Sequence, residues 1–331
     1  MESKQTTIKD IARKLGISAS TVSRALNDKF VKNEEMVALI KKTAEEMDYQ
    51  TNTIAAGLRT RKSNLVGIVV PRLASSFFSV VLAQVQKVFN EKGYNVLICQ
   101  SNESTELEQQ QINSLVRCNV EGLLISCAES TKDEEFLDKI AGKGIKIVYY
   151  DRQNFHTEKP VVKVDDIKGG YIATNHLLDK GASNLVYVGG PEQLQIAQDR
   201  FEGFVQAMAE RNTKPVKHFF CKSTAEVDEK LSKALKSKVD GVVCFSDEWA
   251  AQSILTLDKH KISVPKDALV TGYDNTSLCD LVKPGITSIL HDATHMGHQA
   301  AETLLHLIEG KTVEKHVFLE TKIIERDSTK R

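Results

Sequence analysis

A short stretch near the start of the chain places small hydroxylated residues and one arginine on a single side of a helical pattern. The residues on that side are Ala19, Ser20, Thr21, Ser23, Arg24 and Asn27, and the apolar side carries Val22 and Leu26. Hydroxyls, an arginine and a helix N-terminus suit the phosphate oxygens and base edges of DNA. The pattern therefore predicts a recognition helix that lies against duplex DNA.

A histidine cluster later in the chain offers a second kind of chemistry. His291, His295 and His298 are spaced i, i+4 and i+7 beside Asp292, and on one helix face they could hold a metal ion. His291 is expected on the connection before the helix, which breaks that geometry, and no HExxH frame follows. We therefore predict no metal and no other cofactor.

Three helices must position the DNA-reading side chains. Thr7 is the predicted N-cap of the first helix, Gly16 ends it, Ser18 caps the second, and the third runs from Asn33 to near Tyr49. The apolar residues at helical spacing are Ile8, Ile11, Ala12, Leu15, Val22, Leu26, Val37, Ile40, Ala44 and Met47. They predict a small three-helix core, although a protein-docking module could have the same pattern.

Charge is unevenly distributed along the 331 residues. The net charge is zero, but residues 1–62 hold 12 Lys and Arg against 8 Asp and Glu, and the remainder is correspondingly acidic. A basic head on an acidic body is typical of a protein whose head alone meets a polyanion. The length predicts two or three domains.

The cysteines and the hydropathy indicate the compartment. None of the six cysteines forms a CxxC pair, and most stand in apolar runs, so we expect buried thiols in a reducing environment. The N-terminal residues do not form a signal peptide, and no apolar run approaches the ~18 residues that span a bilayer. The sequence predicts a cytoplasmic protein with no membrane partner.

From Leu65 onward, strand-like apolar runs alternate with amphipathic helical stretches. The predicted strands are 66–70, 95–99, 122–126, 146–150, 185–189, 217–220, 241–244, 269–272 and 286–290. The predicted helices are 77–91, 106–118, 170–179, 200–211, 225–236, 248–257 and 294–309. Two such series predict two doubly wound α/β subdomains, with a ligand where the carboxyl ends of the strands face each other.

The whole pattern resembles the lactose/galactose repressor family of bacterial transcriptional regulators. The motifs that carry the resemblance are 21–24 (TVSR), 67–71 (GIVVP), 76–78 (SFF), 164–166 (VDD), 169–170 (GG), 200–204 (RFEGF), 246–248 (SDE) and 272–275 (GYDN). The resemblance covers nearly the whole chain. It implies a helix-turn-helix head with a hinge helix and a periplasmic-binding-protein-like body of two parallel-sheet subdomains.

The resemblance also implies domain boundaries. The DNA-binding domain is expected at 1–62, with the hinge helix at about 51–59. The effector-binding and dimerisation domain is expected at 63–331. Within it, the N-subdomain comprises about 63–161 and 292–320, and the C-subdomain comprises about 162–291 and 321–331. The 52–58 segment contains Gly57 and is shorter than the ~12 residues that a free helix needs, so it should fold only when held.

Matching positions imply the roles of individual residues. Ala19 and Ser20 match specificity-setting positions, Arg24 matches a base contact, and Leu58 matches a wedge in the minor groove. The other predicted DNA-binding residues are Thr7, Thr21, Ser23, Asn27 and Asn52. The predicted effector-binding residues are Ser75, Phe77, Asp151, Arg200, Ser246, Asp274 and His291. Carboxylates, an arginine, hydroxyls and a ring suit a polyhydroxylated ligand such as a sugar or sugar phosphate.

Four departures separate this chain from the family pattern. Thr51 stands where the hinge normally begins with proline, and Ala56 replaces an arginine usual in the hinge. His291 replaces a common amide. Leu194 and Ile196 occupy positions that are polar in some purine-binding members, which argues against a purine.

The leading hypothesis is a homodimeric repressor that binds a near-palindromic operator under the control of a small molecule. A solute-binding receptor without DNA function is the alternative, because the body alone resembles periplasmic sugar-binding proteins. An enzyme is a third class, but no GxGxxG follows the first strand and no Walker loop is present. Asp151 and Asp274 could also serve only as helix caps, and Arg200 only as a structural ion-pair residue.

Overall fold

The computed structural model describes residues 6–26, 33–49 and 63–331. The chain separates into two compact units, Met1–Ser63 and Asn64–Arg331. The expected fold class, a helical head followed by two parallel-sheet subdomains, is confirmed. Within the described residues, no helix has the length and apolar character needed to cross a membrane.

The described part of the first unit contains the helices α1 (Ile8–Leu15), α2 (Ala19–Leu26) and α3 (Glu34–Glu46). Gly16 ends α1 in the left-handed conformation, with φ 66°. Ser18 Oγ accepts the Thr21 amide at 3.1 Å, and Asn33 Oδ1 accepts the Met36 amide at 3.1 Å. Local capping therefore sets the helix starts. The buried residues of their shared core are Ile11, Ala12, Val22, Ala25, Ile40 and Ala44.

The first subdomain of the body is built on a six-stranded parallel sheet. Its strands are β1 (Leu65–Val70), β2 (Asn95–Gln100), β3 (Gly122–Ile125), β4 (Lys146–Tyr150), β5 (Val161–Val164) and β11 (His316–Leu319), in the order β11-β5-β4-β3-β1-β2. Its helices are α4 (Ser76–Glu91), α5 (Thr105–Arg117), α6 (Glu135–Ala141) and α12 (Ala293–Ile308). Continuous Val, Ile and Leu runs in the central strands give hydrophobic clusters on both faces of the sheet.

The second subdomain repeats this plan. Its strands are β6 (Leu185–Gly189), β7 (Lys217–Phe220), β8 (Gly241–Cys244), β9 (Leu269–Asp274), β10 (Thr287–Leu290) and β12 (Ile323–Ile324), in the order β12-β10-β9-β8-β6-β7. Only the β10–β12 pair among them is antiparallel. Its helices are α7 (Asp166–Asp179), α8 (Gln195–Glu210), α9 (Thr224–Ala234), α10 (Asp247–Lys259) and α11 (Leu278–Leu281).

The chain crosses between the subdomains three times: between β5 and α7, between β10 and α12, and between β11 and β12. The first sheet therefore extends through Val164, three residues past the boundary expected at 161. Strand β5 was not predicted, because a lysine interrupts its short apolar run, VVKV. Strands β11 and β12 and helices α6 and α11 were not predicted either, since short segments carry little periodic signal.

Helices α7 and α8 pack against each other through glycines. A Cβ at Gly203 would overlap the Ile167 carbonyl oxygen and lie 2.6 Å from the Tyr171 amide nitrogen. A Cβ at Gly170 would in turn overlap the Arg200 carbonyl oxygen. The close approach of the two backbones fixes where Arg200 enters the interior.

We expect Gly203→Ala to lower the free energy of unfolding by about 3 kcal/mol, because the clash is with helix backbone that cannot move aside. Gly142→Ala is the matched control, since its Cβ would meet the Asp138 carbonyl oxygen at an ordinary 3.4 Å. Its expected change is within about 0.5 kcal/mol. Urea denaturation measures both, and equal effects would show that the α7–α8 contact is not tightly packed.

Candidate functional site

Helix α2 has one face in the core of the head and one face in solvent. Val22 and Ala25 are buried, whereas Ser20 and Arg24 are exposed. Thr21 and Ser23 are half-buried at the sides of the polar face. The helix thus exposes the side chains of Ser20 and Arg24 fully to solvent and those of Thr21 and Ser23 partly.

Hydroxyl groups cluster at the N-terminus of α2. Ser18 Oγ lies 2.8 Å from both Ser20 Oγ and Thr21 Oγ1. The positive end of a helix dipole beside several hydroxyls is a favourable place for a phosphate oxygen. Thr7 is exposed at the start of α1, where its amide and its hydroxyl both donate to the Asp10 carboxylate.

The remaining predicted DNA contacts have different positions. Ala19 is half-buried and packs partly against the three-helix core. Asn27, Asn52 and Leu58 lie outside the described residues, as does the 51–59 hinge segment.

A cavity of about 280 Å³ lies between the two subdomains, at the carboxyl ends of the parallel strands. Its lining from the first subdomain includes Arg72, Ser75, Ser76, Phe77, Phe78, Glu103 and Arg152. Its lining from the second includes Leu194, Lys222, Phe245, Ser246, Asp247, Glu248, Trp249, Asp274 and Thr276. Four of the seven predicted effector residues, Ser75, Phe77, Ser246 and Asp274, therefore line one cavity.

The other three form the buried support of this cavity. Asp151, Arg200 and His291 are 5%, 3% and 3% exposed. His291 Nε2 lies 3.6 Å from Asp151 Oδ1, and His291 Nδ1 lies 3.3 Å from Asp274 Oδ1. Asp151 follows β4 of the first subdomain, Asp274 ends β9 of the second, and His291 lies on a crossover. Asp151, His291 and Asp274 thus connect the two subdomains.

Arg200 extends this chain of charges into the second subdomain. Its Nε donates to Asp166 Oδ1 at 2.7 Å, and its Nη1 donates to the Phe245 carbonyl at 2.7 Å. Nη2 lies 3.7 Å from Asp274 Oδ1, and the guanidinium stacks 3.5 Å from the centre of the Tyr273 ring. Arg200 therefore makes a buried ion pair with Asp166 and also supports the position of Asp274.

The two carboxylates at the subdomain boundary have unusual backbone conformations. Asp151 has φ 60° and Asp274 has φ 99°, in a backbone region that residues other than glycine rarely adopt. Such strain is characteristic of functional sites. Asp151 is followed by a loop, and the N-cap of α11 is Ser277, so neither aspartate caps a helix. Burial raises the pKa of Asp151, while His291 and Arg152 oppose that shift.

A neutral imidazole has only one N–H, so His291 can donate to only one of its two carboxylate neighbours. Its Nδ1 contacts Asp274, and its Nε2 is buried without a hydrogen-bond partner within the described residues. The Phe77 ring covers the imidazole, with ring centres 4.2 Å apart. His295 and His298 are exposed on α12, whereas His291 is buried before its start, so the three do not share a helix face.

Two serines that cap helices at the cavity, Ser246 and Ser75, differ in the hydrogen bonds that their hydroxyl groups make. Ser246 caps α10 and accepts the Trp249 amide at 3.4 Å, so its hydroxyl is partly occupied. Ser75 caps α4 without a side-chain hydrogen bond to that helix. Trp249 donates its indole N–H to the Gly189 carbonyl at 3.0 Å, and this fixes the ring as a wall of the cavity.

Several charged residues in and beneath the cavity were not among the predicted site residues. Asp166 stands in the quoted 164–166 motif, where the adjacent Asp165 caps α7, and a second aspartate there was the available signal. Asp247 stands in the quoted 246–248 motif. Arg72, Glu103, Arg152 and Lys222 lie in loops whose convergence no local pattern shows.

Asp247 fixes the loop that follows β9. Its carboxylate accepts the Thr276 amide at 2.7 Å, the Thr276 hydroxyl at 2.9 Å and the Ser288 hydroxyl at 2.6 Å. Burial, followed by the like charge of Asp274, raises the pKa of Asp247 to about 6. The folded protein therefore holds this proton more tightly than the unfolded chain does.

This pKa shift predicts a pH dependence of stability. The stabilising contribution of the Asp247 proton is full below about pH 4 and is lost as the pH rises through about 6. We expect the free energy of unfolding of the wild type, relative to Asp247→Asn, to fall over that interval and then stay level. Denaturant titrations at stepped pH measure the difference, and a constant difference throughout would contradict the shifted pKa.

Comparison with known proteins matches both parts of the chain. Residues 7–52 match the family model described as bacterial regulatory proteins, lacI family. Residues 174–329 match the model of a periplasmic binding protein-like domain. The HTH-type transcriptional regulator RegA of Clostridium saccharobutylicum is 30% identical over 98% of this chain and 99% of its own length. The HTH-type transcriptional repressor PurR of Vibrio parahaemolyticus is 29% identical over the same shares.

Solved structures show the same fold. A lac repressor dimer bound to operator and the anti-inducer ONPF superposes with a TM-score of 0.89 at 20% identity, over 98% of this chain and 99% of that one. A complex of the transcriptional regulator CelR with cellobiose gives a TM-score of 0.73 at 22% identity, over 98% of this chain and all of that one.

Proposed function

The chain belongs to the lacI family of bacterial regulatory proteins, and we propose that it represses transcription by binding a near-palindromic operator as a homodimer under the control of a small molecule. It is a DNA-binding transcriptional regulator with a ligand-binding domain rather than an enzyme. We assign it to the cytoplasm, where an operator is accessible.

The observation that carries the proposal is the exposed polar face of α2. Arg24 and Ser20 stand clear of the three-helix core, and the Ser18 hydroxyl group lies at the helix N-terminus beside them. We propose that α2 enters the major groove, that Arg24 contacts a base and that Ser20 and Ala19 set specificity. Thr7, Thr21, Ser23 and Asn27 then contact phosphates or sugars, and Asn52 and Leu58 act in the minor groove.

Exposed apolar side chains on the body support the homodimer. Leu73, Val80 and Ile98 are exposed near the β2 edge of the first sheet. Leu255 on α10 and Leu281 on α11 are exposed on the second subdomain, with Leu281 as high as 76%. Large exposed apolar side chains beside a sheet edge, as at Leu73, Val80 and Ile98, are typical of a surface covered by a partner.

The cavity supports a polyhydroxylated effector, a sugar or sugar derivative. Ser75, Ser246 and Asp274 offer hydroxyl and carboxylate groups, and Phe77 and Trp249 offer ring faces. Leu194 adds an apolar wall. The CelR structure holds cellobiose in a protein of this fold, which is consistent with a saccharide.

The buried side chains provide a route for control. A ligand hydroxyl that reaches Asp151 or Asp274 changes a contact of His291, and that ring connects the two subdomains. We propose that the effector thereby changes the angle between the subdomains and, through the hinge segments of the dimer, the affinity for DNA. The coupling must be reciprocal, because operator and effector then favour or oppose the same state.

Gel shift of the purified full-length protein on genomic fragments, with and without sugars, tests this function. We expect a retarded fragment at low salt whose retardation changes with at least one sugar. Retardation of no fragment, together with a sugar-dependent rise in melting temperature, would instead favour the solute-receptor alternative.

A further inference from the structure

The cavity is lined by three cations, Arg72, Arg152 and Lys222, and by four acids, Glu103, Asp247, Glu248 and Asp274. We call the three cations and Glu103, which pairs with both arginines, the first group, and the other three acids the second group. We propose that the first group is a binding site for an anionic substituent, a phosphate or carboxylate, on the effector. The inference rests on the proposed function and specifies the class of ligand.

The first group contains more cations than carboxylates that pair with them. Arg152 Nη1 lies 2.9 Å from Glu103 Oε1, and Arg72 Nε lies 3.5 Å from the same oxygen. Glu103 also accepts the backbone amide of Glu129 at 3.0 Å. Asp151, 3.7 Å from Arg152 Nε, is the remaining acid in contact with this group. Two carboxylates therefore balance at most two of the three cations.

Lys222 is the cation left over. Across residues 6–26, 33–49 and 63–331, no carboxylate lies within ion-pair distance of its ammonium group, although the side chain lines the cavity. The nearby Glu226 carboxylate is already held by Lys230 at 2.8 Å. Lys222 is exposed to solvent and also lines a second, neighbouring pocket with Glu103, Glu129 and Lys132. A flexible ammonium in that position can close on an incoming anion.

The first group has hydrogen-bond donors as well as charge. Arg152 Nε is buried without a hydrogen-bond partner within the described residues. The Ser75 hydroxyl makes no cap bond to α4, and Ser75 lines the cavity with Arg72 at the positive end of that sixteen-residue helix. Guanidinium groups, hydroxyls and a helix N-terminus are the donors that phosphates and carboxylates prefer.

The second group fixes the orientation of such a ligand. Burial and, after it, the like charge of Asp274 raise the pKa of Asp247. A further negative charge there would add to that repulsion, whereas a neutral hydroxyl can donate to Asp274. An anionic polyol can therefore enter in one direction only, with its anion toward Lys222 and its hydroxyls toward Asp274.

Matched ligands and variants test this site in the full-length protein. The probes are aldose phosphates, the corresponding aldonates, the parent aldoses and inorganic phosphate, screened by thermal shift and then by calorimetric titration. We expect an aldose phosphate or an aldonate to bind at least about tenfold more tightly than its parent aldose. Whichever arm binds, phosphate or carboxylate, identifies the anion.

The variant Lys222→Gln should weaken binding of that anion at least about tenfold and weaken binding of its parent aldose far less. Lys233→Gln on the exposed side of α9 removes the same charge away from the cavity and should change neither affinity. Absence of stabilisation by every anionic probe, or equal affinities in Lys222→Gln and the wild type, would overturn the inference. Operator binding measured on the same samples shows separately whether the proposed function stands.

Discussion

Replacing Arg200 with methionine is expected to lower the free energy of unfolding by about 4 kcal/mol, because it leaves Asp166 buried without its cation. Both members of the pair are almost completely buried, with side chains 3% and 4% exposed. The substitution also removes the contact that positions Asp274, so effector binding should be lost at temperatures where the variant is still folded. Denaturant titration measures the first effect and thermal shift with effector measures the second.

Arg211→Met is the matched control for that experiment. Arg211 lies directly after α8 and pairs with Asp179 at 2.5 Å, but the two side chains are 47% and 61% exposed. An exposed ion pair contributes at most about 1 kcal/mol, so this variant should be close to wild type and should bind effector normally. Comparable losses in the two variants would mean that the buried ion pair does not organise the cleft.

Replacing Arg24 with alanine is expected to weaken operator binding about 100-fold, because a base contact by arginine contributes roughly 1–3 kcal/mol of discrimination. The side chain is exposed, and its removal should leave the melting temperature unchanged. Fluorescence anisotropy with a labelled operator at fixed salt measures the loss, and a scrambled duplex measures binding that does not depend on sequence.

Arg13→Ala separates base recognition from general charge. Arg13 is 79% exposed on α1, and its guanidinium pairs with Asp10 at 3.2 Å. Both variants lose one positive charge from the head, so the two should lose similar affinity for scrambled DNA. If Arg13→Ala weakens operator binding as much as Arg24→Ala does, α2 is not the recognition helix.

The head illustrates what local sequence determines. Thr7, Gly16, Ser18 and Asn33 were recognisable as helix boundaries because each acts on backbone groups within four residues of itself. The long strands of the body were recognisable because parallel strands buried on both faces need continuous apolar runs. Strand β5 was not recognisable in this way, because its pairing with β11, about 150 residues away, places it in the first sheet.

The site was only partly predictable for the same reason. Asp274 and Ser246 follow strands, and a switch-point cleft places such residues together. That Arg200, Asp151 and His291 lie beneath the cavity depends on side-chain packing across two subdomains, which no spacing records. The cations of Arg72, Arg152 and Lys222 converge from three separate loops, so only the folded structure reveals their excess charge.

The central claim is that one chain couples a ligand in the cleft to a DNA-reading head. Its most direct test is the operator affinity of the wild-type protein, measured by anisotropy with and without a saturating concentration of the aldose derivative that most raises its melting temperature. We predict a change of about tenfold or more, in either direction, that Arg200→Met abolishes. Identical operator affinities with the cleft empty and filled would contradict it.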